Sequence, residues 1–135
     1  MKKILILGAL PNDKERLKLY NAMTEICKKF GSVSSPIDTK KSKNTYQERH
    51  NQAFQKVKEA DIIIGEQTTP STGQGMEIRE ATILKKPLVV VAKSGSKISG
   101  LVMGCPAVKE IIYYDNINDL KLKLKNSLKT LLKIR

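Results

Sequence analysis

The segment from Thr69 to Glu77 carries residues whose types and spacing could do chemistry. Two glycines, Gly73 and Gly75, stand one residue apart and allow the backbone to approach a ligand closely. The pattern predicts that they open a helix, whose free N–H groups attract anions. Glu77 would then lie in the first turn and stay ionised. A nucleophile in glycosyl transfer needs that charge, because it stabilises an oxocarbenium-like transition state.

The same spacing has a purely structural interpretation. A glutamate near the start of a helix is favoured for capping and for the helix dipole alone. The segment is not a dinucleotide-binding fingerprint, because Ile78 stands where a third glycine would be needed and the first predicted strand carries only Gly8. Spacing by itself leaves both roles of Glu77 open.

Runs of β-prone apolar residues predict buried parallel strands that would position this segment. They span residues 3–7, 61–66, 87–92 and 110–114, with a weaker strand at 32–35. Apolar residues spaced three and four apart lie between them and indicate helices. Strand and helix therefore alternate at about the ~30 residues of a βαβ unit.

Capping residues and breakers set the expected helix boundaries. Asn12 or Asp13 can cap the first helix, Gly31 is expected to stop it, and Asn118 can cap the last. Tyr20 and Tyr46 are expected to pack rather than to stack on a base. The other predicted segments are a loop at 38–44, a helix at 46–60, a loop at 67–75 and a helix at 76–85.

These elements predict an α/β fold, a three-layer sandwich around a five-stranded parallel sheet. Right-handed crossovers make a flavodoxin-like (Rossmann-like) strand order the expected one. Ligands of such sheets bind at the carboxyl ends of the strands. The loops to examine are therefore 8–13, 66–77 and 93–104, and Glu66 faces the pocket by topology, to bind sugar hydroxyls or loop amides.

A longer pattern resembles the nucleoside 2-deoxyribosyltransferase superfamily, and most closely its 2′-deoxynucleoside 5′-phosphate N-hydrolase branch. The pattern reads as an acidic residue, an apolar strand, an acidic residue, a glycine loop ending in glutamate, a helix, and then Lys-Pro before a strand. It covers nearly the whole chain. Its segments are Glu59–Asp61, Ile62–Ile64, Gly65-Glu66, Thr69–Glu77, Lys86-Pro87, Ser94-Gly95, Ile98-Ser99 and Gly104.

The resemblance implies cleavage or transfer of the N-glycosidic bond of a (deoxy)nucleoside or its 5′-monophosphate. It assigns Glu77 as the nucleophile that forms a glycosyl–enzyme intermediate. It also implies a homodimer with a shared active site, in which Ser99 reaches the 5′-phosphate in the neighbouring subunit. The remaining substrate-binding residues that it implies are Gly8, Ala9 and Leu10 of the first loop, and Ser71, Gly73 and Gly75.

The chain departs from this branch at two places. Ala9, Leu10 and Pro11 stand where the branch has a serine and an arginine, so a bidentate phosphate contact is lost. Ala53 stands where the branch has an aspartate that helps to handle the leaving base or the sugar. Gln52, Glu48 and His50 are near enough in sequence to replace it. A nucleotide-binding or sensing protein of the same fold is the alternative function.

Length and composition restrict the remaining classes of function. The 135 residues fit one domain, 1–135, and no apolar run approaches the ~20 residues of a membrane-spanning helix, so no membrane partner is expected. The apolar run at 4–10 follows two lysines as in a short signal peptide, but a first strand explains it better. Cys27 and Cys105 lack the spacing of a disulfide scaffold or a zinc site. No metal or cofactor is expected, and a reducing cytoplasm is the predicted location.

The net charge of +12, from 25 Lys and Arg against 13 Asp and Glu, would suit a polyanionic partner. The basic residues are spread over both halves of the chain, however. The lysine-rich last helix has no aromatic residues interleaved with its charges, so nucleic-acid binding is not expected. A small-molecule nucleoside or nucleotide remains the expected partner.

Overall fold

The computed structural model describes residues 1–41 and 43–133. Five parallel strands form one sheet in the order β2-β1-β3-β4-β5, and helices cover both faces. The predicted fold is confirmed. The strands are β1 (Lys2–Leu7), β2 (Gly31–Ser34), β3 (Ile62–Glu66), β4 (Leu88–Lys93) and β5 (Val108–Tyr114). The helices are α1 (Lys14–Cys27), α2 (Pro36–Lys41), α3 (Tyr46–Glu59), α4 (Thr72–Ile83), α5 (Gly100–Met103) and α6 (Ile117–Leu131).

Alternation along the strands divides the core between the two faces of the sheet. On β3, Ile62 and Ile64 point towards α1 and α6, whereas Ile63 points towards α3 and α4. All three are fully buried, which contributes about 1.5–3 kcal/mol per side chain. Because Leu7 pairs with Gly65, the loops that follow β1 and β3 leave the sheet side by side.

Two helix boundaries differ from the prediction. Helix α4 begins at Thr72 rather than at residue 76, because Ser71 caps it by accepting a hydrogen bond from the backbone N–H of Gln74 at 3.2 Å. Helix α1 is capped by Asp13, as expected, but ends at Cys27. Gly31 does not stop the helix; it opens β2, where a Cβ would lie 2.1 Å from the carbonyl oxygen of Lys2.

Two other local predictions are wrong because side-chain hydrogen bonds start helices at residues other than those expected. Asn116, not Asn118, caps α6, and its Oδ1 accepts from the backbone N–H of Asp119 at 2.8 Å. Part of the predicted loop 38–44 is helical, because the Asp38 carboxylate accepts from the N–H of Ser35 and starts α2. Residue 42 of that stretch lies outside the described residues. No helix in 1–41 or 43–133 is both long and apolar enough to cross a bilayer.

Substituting Gly31 by alanine tests the close approach of β2 to β1. The new Cβ would meet backbone rather than a flexible side chain, so we expect Gly31→Ala to lower the free energy of unfolding by about 1–3 kcal/mol. Gly100→Ala is the matched control, since a Cβ there meets nothing within 4 Å. Urea denaturation of both variants measures the difference, and equal stabilities would contradict this reading of the contact.

Candidate functional site

A cavity of about 480 Å³ lies on the α3/α4 face of the sheet, at the carboxyl end of β1 and beside the segment that follows β2. The first loop, α2, α3 and the start of α4 form its walls. Of the residues assigned from sequence, it brings together Gly8, Ala9, Leu10, Ser71, Gly73 and Glu77. Polar and charged side chains from the other walls are Asn12, Ser35, Asp38, Thr39, Arg49, Gln52 and Lys56.

Glu77 lines this cavity, as predicted from its position in the sequence, but its electrostatic environment differs from the predicted one. Because α4 begins at Thr72, Glu77 lies in the second turn, beyond the free N–H groups of the first. Its side chain is half-buried, and burial raises its pKa to about 7, an effect that the charge of Lys56 opposes. The prediction that helix amides hold this carboxylate ionised is wrong. Glu77 is instead an acid poised to titrate near neutral pH.

Helix α3 presents one face to the cavity that Glu77 also lines. Arg49, Gln52, Ala53 and Lys56 follow one another at spacings of three, one and three residues, and all four line the cavity. Gln52 is therefore the only one of the three suggested replacements for the aspartate at position 53 that reaches the site. The other two lie elsewhere: Glu48 completes the capping box of α3 with Thr45, and His50 packs against Phe54 with ring centroids 4.6 Å apart.

Tyr46 does not pack, contrary to expectation. It is the first residue of α3, and its side chain is 87% exposed. The guanidinium of Arg49 lies 5.9 Å from the centroid of its ring, one turn along the helix. Tyr20, in contrast, is fully buried, as predicted.

The glycine segment is held in place by Gln74, a residue that the sequence reasoning passed over. Gln74 is 1% exposed; its Nε2 donates to the backbone oxygen of Glu66 at 3.0 Å, and its Oε1 accepts from Gln67 Nε2 at 2.7 Å. These bonds join the first turn of α4 to the end of β3. Gly73 lies in that turn and lines the cavity, whereas Gly75 does not.

The structure does not bring Glu66 into the cavity. Its position on β3 has the parity of Ile62 and Ile64, so its side chain enters the α1/α6 face, where it is fully buried. There the carboxylate accepts from the backbone N–H of Thr68 at 2.7 Å, from Thr68 Oγ1 at 2.9 Å and from Tyr114 Oη at 2.8 Å. The sequence left open whether Glu66 binds sugar hydroxyls or loop amides. Its bond to the backbone N–H of Thr68 agrees with the second role, and Tyr114 on β5 supplies a further donor.

Arg16 and Tyr20 extend this buried cluster to the first loop, and sequence reasoning missed both roles. Arg16 Nη1 lies 3.7 Å from Glu66 Oε1 and donates to Tyr20 Oη at 3.0 Å. Tyr20 Oη in turn donates to the backbone oxygen of Ala9 at 2.6 Å. A Cβ at Gly8 would lie 2.1 Å from that hydroxyl oxygen, so glycine is required there. Hydrogen bonds and one ion pair thus connect both the first loop and the β3–α4 loop to the carboxylate of Glu66, on the other face of the sheet from the cavity.

Ser99, the remaining assigned residue, is exposed and precedes α5. It does not line the cavity of its own chain. Within 1–41 and 43–133, no three histidine, cysteine, aspartate or glutamate side chains gather as a metal site would require.

Comparisons with known proteins show what this chain is similar to. No protein-family model matches it. It is 27% identical over 128 residues to the Methanosarcina mazei protein named "Putative 2'-deoxynucleoside 5'-phosphate N-hydrolase 1", covering 89% of this chain and 80% of that one. A protein of the same name from Methanosarcina barkeri is 25% identical over 111 residues, or 77% of this chain and 70% of that one.

Two solved structures share the fold. The CMP N-glycosidase BcmB of Clostridium botulinum superposes with a TM-score of 0.77 at 17% identity, over 94% of this chain and 100% of that chain. A 2-deoxyribosyltransferase from Bacillus psychrosaccharolyticus gives 0.69 at 19% identity, over 90% and 95% respectively. The resemblance to the superfamily and to its hydrolase branch, first noted in the sequence, is confirmed.

The raised pKa of Glu77 predicts how the free energy of unfolding depends on pH, and this can be measured without a substrate. An unfolded glutamate ionises near pH 4.3, whereas the folded one ionises near 7, so the folded state binds the proton more tightly. That stabilisation is complete below about pH 4.3 and is lost as the pH rises through 7. Glu77→Gln lacks the penalty and should exceed the wild type in stability by about 1–3 kcal/mol at pH 8.

Chemical denaturation at pH 4, 6 and 8 measures this difference, which should shrink towards the acid end. Glu80→Gln, one turn further along α4 and outside the cavity, is the control for the effect of the amide substitution itself. A difference for Glu77→Gln that stays constant with pH would mean that the carboxyl is not protonated in the folded protein.

Proposed function

Since the chain resembles the 2′-deoxynucleoside 5′-phosphate N-hydrolase branch of the nucleoside 2-deoxyribosyltransferase superfamily, we propose that it cleaves or transfers the N-glycosidic bond of a nucleoside or nucleoside 5′-monophosphate. The observation that carries the proposal is the position of Glu77. It is a half-buried carboxyl without a direct ion pair among the described residues, and it lines a cavity at the carboxyl edge of the sheet. The names of the relatives and of the structural neighbours support the same chemistry.

The proposed nucleophile is the ionised carboxylate of Glu77. It attacks the anomeric carbon of the sugar, the C1′–N bond breaks, and its electron pair leaves with the base. Water or a second base then attacks the same carbon and releases the carboxylate. When water is the acceptor, its oxygen ends on the sugar and its proton on the departed base. The cavity walls supply the proximity that this sequence of bond changes needs.

We place the sugar against Ser71 and Gly73, and the 5′-phosphate, where one is present, against the first loop. The backbone from Gly8 to Leu10 lines the cavity at that end. Pro11 cannot supply the guanidinium that the hydrolase branch has in this loop, but Arg49 reaches the same cavity from α3. A guanidinium binds a phosphate with two parallel hydrogen bonds, so Arg49 is the proposed phosphate ligand.

The active unit is proposed to be a homodimer in a reducing cytoplasm. Helices α4 and α5 carry apolar side chains that the single chain leaves exposed, namely Met76, Ile83, Leu101 and Met103. Burying them between two copies would place α5 in the interface, and with it the exposed Ser99 that precedes this helix. Ser99 would then complete the phosphate site of the partner. Both cysteines are free thiols, as a reducing compartment favours.

A second function, nucleotide binding without turnover, is favoured by one observation. Ala53 lines the cavity at the place where the hydrolase branch has an aspartate, so α3 brings no carboxylate to the cavity at that position. A protein of this kind would bind its nucleotide and release no base. A rise in melting temperature with nucleotides and no base release would identify it, since a ligand that binds only the native state stabilises it.

Release of free base tests the enzymatic proposal. Incubating the protein with a panel of deoxynucleosides, ribonucleosides and their 5′-monophosphates, followed by chromatography, should yield base from at least one of them. Glu77→Gln removes the nucleophile and should reduce this turnover by about a thousandfold or more. Glu80→Gln, on the same helix but outside the cavity, should retain activity. Full turnover in Glu77→Gln would exclude the proposed role.

The homodimer makes its own prediction. Leu101 is 91% exposed on α5, and Leu101→Glu should convert the dimer to a monomer in sedimentation velocity because it puts a charge into the proposed apolar interface. Leu122→Glu makes the same change at a 60% exposed leucine on α6, outside that interface, and should stay dimeric. A monomeric wild type would refute the interface.

A further inference from the structure

We propose that Lys56 favours the ionised, reactive form of Glu77, and that its positive charge takes the role predicted from the sequence for the helix amides. The two side chains come from different helices and line the same cavity. The inference rests on the proposed function for its catalytic consequence, but not for the electrostatic effect itself.

The placement of Lys56 follows from the geometry of α3. It lies three residues after Ala53 on the face that lines the cavity. Long side chains on a helix tend to lean back over the preceding turn, and for Lys56 that turn contains Ala53. The methyl group of Ala53 brings no charge to the cavity, whereas Lys56, one turn further on, brings a cation to it.

Lys56 is the cation best placed to act on Glu77. Among the described side chains, the charged residues that line the cavity are Asp38 on α2, Arg49 and Lys56 on α3, and Glu77 itself. Arg49 precedes Lys56 by seven residues, or about 10 Å along the helix axis. On α4 itself, Arg79 and Glu80 lie outside the cavity. Within the part of the chain that the structure describes, the charge of Lys56 lowers the pKa of Glu77 and so favours its ionised form.

No direct ion pair joins the two side chains among the described residues, and this suits a nucleophile. An oxygen bound tightly by an ammonium would be less free to attack carbon. A separated charge in a partly buried site still interacts strongly, because little water screens it. Lys56 thus brings to the cavity the sign of charge that offsets the effect of burial on Glu77, whereas an aspartate at position 53 would add to that effect.

Carboxyl titration followed by NMR, with ¹³C-labelled glutamate in the free protein, tests the inference without substrate. In Lys56→Met the pKa of Glu77 should rise by about one pH unit, because an opposite charge has been removed from a partly buried site. Lys56→Arg keeps the charge and should titrate near the wild-type value. Lys58→Met removes an exposed lysine of the same helix that does not line the cavity, and should leave Glu77 unchanged.

An unchanged Glu77 titration in Lys56→Met would overturn the inference. Methionine keeps the apolar stem of lysine, and Lys56→Gln provides a second neutral variant should the first fail to fold. The acidic limb of the pH profile of kcat/KM should move upward by the same amount, since only the ionised carboxylate attacks. A shifted titration in a protein that releases no base from any nucleotide would uphold the electrostatic role and refute the proposed function instead.

Discussion

The buried carboxylate of Glu66 is the constraint on which the site depends. An ionised group without water is costly unless hydrogen bonds and an opposite charge compensate it, and here Thr68, Tyr114 and Arg16 do so together. Burial raises the pKa of Tyr114, which keeps its hydroxyl protonated and able to donate. Each partner belongs to a different element: the β3–α4 loop, β5 and α1. Satisfying one charge therefore fixes the relative positions of the loops that form the cavity walls on the opposite face of the sheet.

Two carboxyl groups eleven residues apart thus have opposite environments. Glu66 is saturated with donors and serves structure, whereas Glu77 is partly buried and has no direct ion pair among the described residues. Divergent environments of this kind distinguish acids with different tasks in one protein. Leaving Glu77 without such partners lowers the stability of the folded protein, and the rest of the fold must offset that cost. Gln74 connects the two, because it bonds to the backbone of Glu66 and lies in the first turn of the helix that carries Glu77.

The sheet order and most elements could be predicted because long apolar strands and helical spacing are strong, local signals. The placement of Glu66 was predictable too, since counting alternate residues from Ile62 assigns it to the α1/α6 face. The helix start at Thr72 also had a signal: Ser71 and Gln74 have the spacing of a capping box. The convergence of Arg16 and Tyr114 on Glu66 had none, because it joins residues about fifty apart on either side. It depends on the packing of three elements that no local pattern encodes.

The hydroxyl of Tyr20 occupies the space that a side chain at position 8 would fill, and it donates a hydrogen bond to the backbone carbonyl of Ala9. The path of the backbone after β1, where it lines the cavity, is therefore fixed by a side chain of α1, which packs on the other face of the sheet. Position 8 therefore accepts no side chain, although its backbone lines the cavity, and whatever variety this loop offers to a ligand must come from the residues after it.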